Sequence, residues 1–245
     1  MTPYASLGMY PLVPLRPAWD QLWAAVHERA PWTPPSLTWT DDVAATWHDP
    51  DGVVTHACGW PVVTSLRDVV DVVGAFTLGL PDADGHRYRA VVLATDDGEP
   101  AVDAIAAVNA EDSLTGWVSL RAARSGGEPW PGPVVWTASH LASLVALQQG
   151  DADIASIDPL TLHHVRRHEP DLIAGLHVVG TGPLVPSPPI VVPRSTPSER
   201  IEELRHAFGA ALTARPLVGR ALALSGFVGL DRAEYEPLLT LVAAR

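Results

Sequence analysis

The stretch Ser113-Leu114-Thr115-Gly116 sets two hydroxyls and a glycine where a short apolar run, Ala106 to Asn109, gives way to helical periodicity. One capping side chain is enough to start a helix, and Ser, Thr, Asp and Asn all serve. The surplus suits anion binding. The first N–H groups of a helix have no partner within it and lie at the positive end of its dipole. Hydroxyls add donors, and a glycine lets an anion approach the backbone with no Cβ in the way. Ser139-His140 and Asp158-Pro159 open two further helical patterns. Taken singly, Ser139 and Asp158 read as plain N-caps, since Asp followed by Pro is an ordinary helix start. His140 beside Ser139 could donate a hydrogen bond to an oxyanion, with its pKa lowered by the helix end and raised by a bound anion.

The elements around these junctions alternate. Strand Ala106–Asn109 leads to a helix Ser113–Arg124, strand Val134–Thr137 to a helix Ser139–Gln149, and strand Ile154–Ile157 to a helix Pro159–His168. Such alternation predicts parallel strands with crossover helices, which put every strand-to-helix junction on the carboxyl edge of the sheet, where open α/β folds bind ligands. The rest reads as a first strand (Tyr4 to Tyr10), a helix with Trp19, Leu22, Trp23 and Val26 on one face, β-rich segments up to Thr95, a helix from Ser198 to about Thr213, and a terminal helix from Asp231. The simplest architecture is two α/β lobes, residues 1–90 plus 181–245 and residues 91–180. Val91–Leu93 and Val179–Thr181 are the two crossing strands, hence a hinge.

Composition narrows the chemistry. All sixteen basic residues are Arg, and the chain has no Lys. That argues against phosphate-loop NTPase, Schiff-base and Ser–Lys chemistry, each of which needs a lysine. The net charge of −12 argues against nucleic acid as a partner. A small anion stays possible, because distant charges are screened and local donors decide. The lone Cys58 excludes an internal disulfide, no apolar run is long enough to span a bilayer, and no Gly-x-Ser-x-Gly elbow is present. His163, His164 and His168 share a predicted helix without an evident third ligand, and read as a solvated face rather than a metal clip. His56 and Cys58 alternate on one strand; the expected role is structural rather than catalytic. Trp117 reads as core, while Trp60 stays undecided. No metal or cofactor is expected. No basic, apolar leader opens the chain, so its expected location is the cytoplasm as the sequence stands, or the periplasm or extracellular space if a leader was removed.

The segments "ASLGMY", "HACGWP", "YRAVVLAT", "AVNAEDSLTGW", "TASHLASLVALQQGDADIASID" and "GTGPLVPSPPIVVP" follow one another in this order. Together they resemble the phosphate/phosphite/phosphonate substrate-binding proteins of ABC transporters, over most of the chain and most weakly in the last thirty residues or so. The resemblance implies a two-lobed periplasmic-binding-protein type 2 fold, each lobe a mostly parallel mixed sheet flanked by helices. It implies a small phosphorus oxyanion or organophosphonate in an interlobe cleft, with an ABC permease as a possible partner. The implied ligand contacts are Ser113, Thr115, Gly116, Ser139 and His140 from the second lobe, Tyr10 and the turn Cys58-Gly59-Trp60 from the first, and Tyr88 at the crossover. Asp158 is the acidic residue placed to read the rest of the ligand, through a protonated phosphate oxygen or an amine. The alternative is a cytoplasmic biosynthetic enzyme on the same fold, with His140 and Asp158 as acid and base. A soluble sensor or partner-binding module is a third reading.

Overall fold

The computed structural model describes residues 2–242. In chain order the strands are β1 (Tyr4–Ser6), β2 (Gly52–His56), β3 (Val70–Leu78), β4 (Arg87–Ala94), β5 (Ala106–Val108), β6 (Val134–Trp136), β7 (Ile154–Ile157), β8 (His177–Pro186), β9 (Pro189–Pro193) and β10 (Leu224–Gly229). The helices are α1 (Arg16–His27), α2 (Ala45–His48), α3 (Gly59–Val63), α4 (Ser119–Arg124), α5 (His140–Gln149), α6 (Pro159–His168), α7 (Ser198–Ala214) and α8 (Pro216–Ala221). They form two compact units, Met1–Arg87 with Pro186–Glu236, and Tyr88–Val185 with Pro237–Arg245. The sequence reading put the chain's last residues with the first lobe; here the segment from Pro237 groups with the second, where Gly127 lies against the backbone of Leu241.

The first unit carries a five-stranded mixed sheet, β1-β2-β9-β3-β10, in which only β1 and β2 run parallel. The apolar face of α1 predicted from its spacing is present, with Trp19, Leu22, Trp23 and Val26 buried. Rings interlock beneath it. Trp19 stacks on Tyr10 and meets Phe76 edge-on, and Phe76 in turn meets His56, Phe208 and Phe227. No terminal α-helix starts at Asp231, contrary to expectation; short 3-10 turns at Arg232–Glu234 and Glu236–Thr240 replace it. Tertiary bonds override the cap there. Arg232 donates to the carbonyls of Val62, Arg67 and Val70, and the buried Tyr235 hydroxyl donates to Ser187 O at 2.9 Å.

His56 is fully enclosed in this aromatic core, with Nε2 3.2 Å from Pro188 O, and burial pushes its pKa down to about 3. A histidine held neutral by the fold stabilises it fully above the unfolded value near 6.5. That stabilisation is lost as the pH falls from about 6.5 towards 3, where the unfolded chain takes up the proton first. Urea midpoints should therefore fall across this window, and His56→Phe should flatten the slope. An equal slope in the variant would remove His56 from the acid response.

The second unit carries the sheet β6-β5-β7-β4-β8. As the alternation predicted, β5 runs parallel to both β6 and β7, while β4 lies antiparallel beside β7. Two apolar clusters fill its faces, one around Leu144, Leu147, Ile157 and Val165, the other around Val92, Val108, Trp117 and Leu120. His164 belongs inside. It is buried, so the expected solvated face of α6 is confined to Arg166, Arg167 and His168. Among the described residues no histidine, cysteine or acidic group forms a cluster fit for a metal. Among the described residues, too, no helix is long and apolar enough to cross a membrane.

Candidate functional site

Three adjacent parallel strands of the second unit release their chains at one edge of the sheet. β6 leads to Ser139, β5 to Ser113 and β7 to Asp158. Because β4 runs the other way, with Val91 opposite Ile157, its start at Tyr88 reaches the same edge. The sheet thus gathers Ser113, Thr115, Gly116, Ser139, His140, Asp158 and Tyr88.

At the β5 junction the expected continuous helix is two pieces, a π-helical turn over Leu114–Val118 followed by α4. Trp117 N and Val118 N both donate to Ser113 O, which widens this first turn. Ser113 is extended, and its Oγ accepts from Gly116 N at 2.9 Å. A hydroxyl that accepts a backbone N–H still has a proton of its own to donate. Gly116 also serves the fold: a Cβ there would lie 1.8 Å from Asn109 Oδ1 and 2.9 Å from Ser113 Oγ, so the absent side chain makes room for Asn109. Asn109 was not singled out in the sequence, although its place at the end of β5 could have marked it. Its Oδ1 is buried with no hydrogen-bond partner.

At the β6 junction Ser139 caps α5 in the same manner, its Oγ accepting from Ala142 N at 3.0 Å. Ala138, just before it, has φ +66°, a left-handed backbone that costs a non-glycine residue on the order of 1 kcal/mol and is kept only where the surroundings enforce it. Nothing in the sequence signals that strain. Thr137 helps to hold the turn, its Oγ1 donating to Ser139 O and lying 2.6 Å from Ser143 Oγ.

The two junctions are tied together. Thr115 Oγ1 and His140 Nε2 are 3.0 Å apart, and Ser156 of β7 donates to Thr115 O at 2.5 Å. His140 keeps some solvent exposure as a residue, but its Nδ1 is enclosed and without a partner. Burial pushes its pKa down to about 4, so desolvation outweighs the helix end that the sequence reading invoked. The imidazole is neutral at physiological pH.

The third junction is closed. Asp158 Oδ1 accepts from both Leu160 N and Thr161 N at 2.9 Å, and the next residue is a proline with no N–H at all. Asp158 Oδ2 accepts from the Tyr88 hydroxyl at 2.8 Å, with both side chains buried. The start of α6 therefore spends its donors on its own cap. Two hydroxyl-capped junctions, rather than three, present donors at this edge.

In the first unit, Tyr10 follows β1 and Cys58-Gly59-Trp60 follows β2, so the parallel pair also delivers its candidates to one sheet edge. Tyr10 is buried in the aromatic cluster, its ring meeting His56 edge-on. Cys58 is the N-cap residue of the five-residue α3 and is buried, Gly59 is buried and Trp60 is half-buried. Trp117, in the second unit, is core as expected, edge-on to Trp136. An open pocket of about 280 Å³ in the first unit is lined by Asp71, Ser198, Glu202, Arg205, Asp231 and Arg232. Its arginines are engaged by backbone carbonyls and these carboxylates, and none of the candidate residues lies there.

Residues 128–235, rather less than half of the chain, match the family described as ABC transporter, phosphonate, periplasmic substrate-binding protein. The matched family is the one the motifs resemble. Its match covers the Ser139-His140 and Asp158 junctions and begins beyond Ser113. No curated protein matches the chain. Solved structures share the fold across nearly its whole length. The binding-protein component of an ABC phosphonate transporter from Pseudomonas aeruginosa is 14% identical, with TM-score 0.74, over 98% of this chain and 84% of that one. A Prochlorococcus marinus protein in complex with methylphosphonate is 9% identical, with TM-score 0.73, over 98% and 96%. A Xanthomonas citri protein bound to ATP is 13% identical, with TM-score 0.70, over 98% and 94%. The architecture is thus that of the phosphonate transporter binding proteins, two mixed sheets flanked by helices.

Proposed function

We propose that this chain is the solute-binding component of an ABC importer and holds a small phosphorus oxyanion or organophosphonate at the carboxyl edge of β5 and β6. Ser113 and Thr115 supply hydroxyl donors from one helix start and Ser139 from the next, with His140 holding Thr115 and Gly116 bonded to Ser113. Tyr88 and Asp158 border the site. Tyr10 and the turn Cys58-Gly59-Trp60 are the contribution that the family resemblance implies from the first unit. The protein works outside the cytoplasmic membrane, as the family description has it, and passes its ligand to a permease.

The Thr115–His140 bond carries this reading, because it fastens two hydroxyl-capped helix starts side by side on one sheet edge. Each helix terminus contributes ~0.3–1 kcal/mol toward an anion and each hydrogen bond to it ~1.5–3 kcal/mol, enough together for a micromolar complex. The catalytic alternative gains nothing from the same geometry. Asp158 is an acceptor for three donors, and a general base must instead be poised to take a proton from a substrate.

A thermal-shift series tests the proposal. Methylphosphonate, phosphite or phosphate at ~100 times its Kd should add ~2.7 kcal/mol of stability and raise Tm visibly, while a neutral alcohol of similar size should not. No shift with any phosphorus oxyanion at millimolar concentration would overturn the reading.

A further inference from the structure

We propose that His140 is a positioning residue: in the loaded site it donates from Nε2 to Thr115 Oγ1 and so commits the Thr115 hydroxyl proton to the anion. The inference rests on the anion-binding reading above and assigns the proton that completes its donor set.

Three hydroxyls stand at the two open junctions, and each has one nitrogen of the protein beside it. Ser113 Oγ accepts from Gly116 N and Ser139 Oγ from Ala142 N, backbone groups of the helix starts that the two serines cap. Thr115 lies inside the π-helical turn rather than at its cap, and the partner of its Oγ1 is the imidazole of His140, 3.0 Å away. That bond can run in either direction, because a neutral imidazole has one protonated nitrogen and one bare one. Burial pushes the His140 pKa down to about 4, so near neutral pH the ring has a single proton to place. With that proton on Nδ1, Nε2 would take the Thr115 proton, and the hydroxyl would have nothing left to donate. The enclosed Nδ1, which has no partner, would also hold a stranded N–H. With the proton on Nε2, the ring donates to Oγ1 and the hydroxyl proton is released for the anion. Nδ1 then keeps only a lone pair out of water, and unpaired buried acceptors are commoner in proteins than unpaired buried N–H groups. A bound anion selects this second arrangement, because a hydroxyl bond to a charged oxygen is about twice as strong as a neutral one. His140 thus gives Thr115 what the helix backbone gives the two serines, and all three hydroxyls become donors.

Two measurements test this, each with whichever of methylphosphonate, phosphite and phosphate binds most tightly. In isotope-labelled protein saturated with that anion at pH 7, long-range proton–nitrogen correlation NMR reads which ring nitrogen of His140 is protonated. The His140 signal is the one missing from His140→Gln. The expected result is a proton on Nε2 alone; a proton on Nδ1, or on both nitrogens, overturns the proposal. A double-mutant cycle by calorimetric titration then separates positioning from direct contact. His140→Phe, which keeps a ring but lacks the donor, should raise Kd at least tenfold in the wild type and less than twofold once Thr115 is replaced by Val. An equal loss in both backgrounds would make His140 a ligand contact in its own right, and no loss in either would leave it structural; both results overturn the proposal. Circular dichroism controls for folding, and the NMR result decides the matter if a Phe variant does not fold. Failure of all three anions to bind the wild type would overturn the anion-binding reading, and this inference with it.

Discussion

Ser113→Ala combined with Thr115→Ala should abolish stabilisation by methylphosphonate and raise its Kd by at least ~100-fold. The two hydroxyl protons are each worth ~1.5–3 kcal/mol to a charged ligand, and ~2.8 kcal/mol already corresponds to a hundredfold change. The cost to the fold is smaller. Ser113 Oγ accepts one backbone bond, from Gly116 N, and losing such a cap costs ~1 kcal/mol. Thr115 packs beside His140, whose ring is kept neutral by burial. The double variant should therefore unfold cooperatively at a slightly lower temperature that phosphonate no longer raises. A wild-type ligand shift in the variant would take both residues out of the site.

Asp158→Ala should cost the second unit about 2–5 kcal/mol, because three buried donors lose their acceptor together. Leu160 N and Thr161 N lose the cap of α6, worth ~1–2 kcal/mol. The buried Tyr88 hydroxyl loses its acceptor at a further ~1–3 kcal/mol. Tyr88→Phe removes donor and demand together and should cost only about 1 kcal/mol, so the comparison separates an orphaned group from a missing bond. Urea unfolding at pH 7 measures both. A loss below ~1 kcal/mol for Asp158→Ala would mean that the carboxylate does not hold the three donors.

The alternation of apolar runs and helical patterns between Ala106 and His168 made the parallel triplet legible, since each strand–helix pair repeats the same grammar and each junction carries a recognisable cap. The candidates at those junctions were legible for the same reason. What the sequence hid were side-chain contacts that local pattern does not carry. A Cβ at Gly116 would run into Asn109, which the local reading did not consider. Asp158 looked available because its partner Tyr88 lies seventy residues away on an antiparallel strand. His164 looked solvated amid charged neighbours, yet the helical period turns it inward. The cap at Asp231 promised a helix that Arg232 and Tyr235 give up for bonds to α3 and to the turn between β8 and β9. Ala138's positive φ leaves no trace in residue type.

The most direct test is a crystal structure of the wild-type protein grown with saturating methylphosphonate. The account predicts the phosphonate oxygens within hydrogen-bond distance of the Ser113 and Ser139 hydroxyls, with Tyr88 still donating to Asp158. A phosphonate seated elsewhere, with those two hydroxyls bonded only to their own helices, would contradict it.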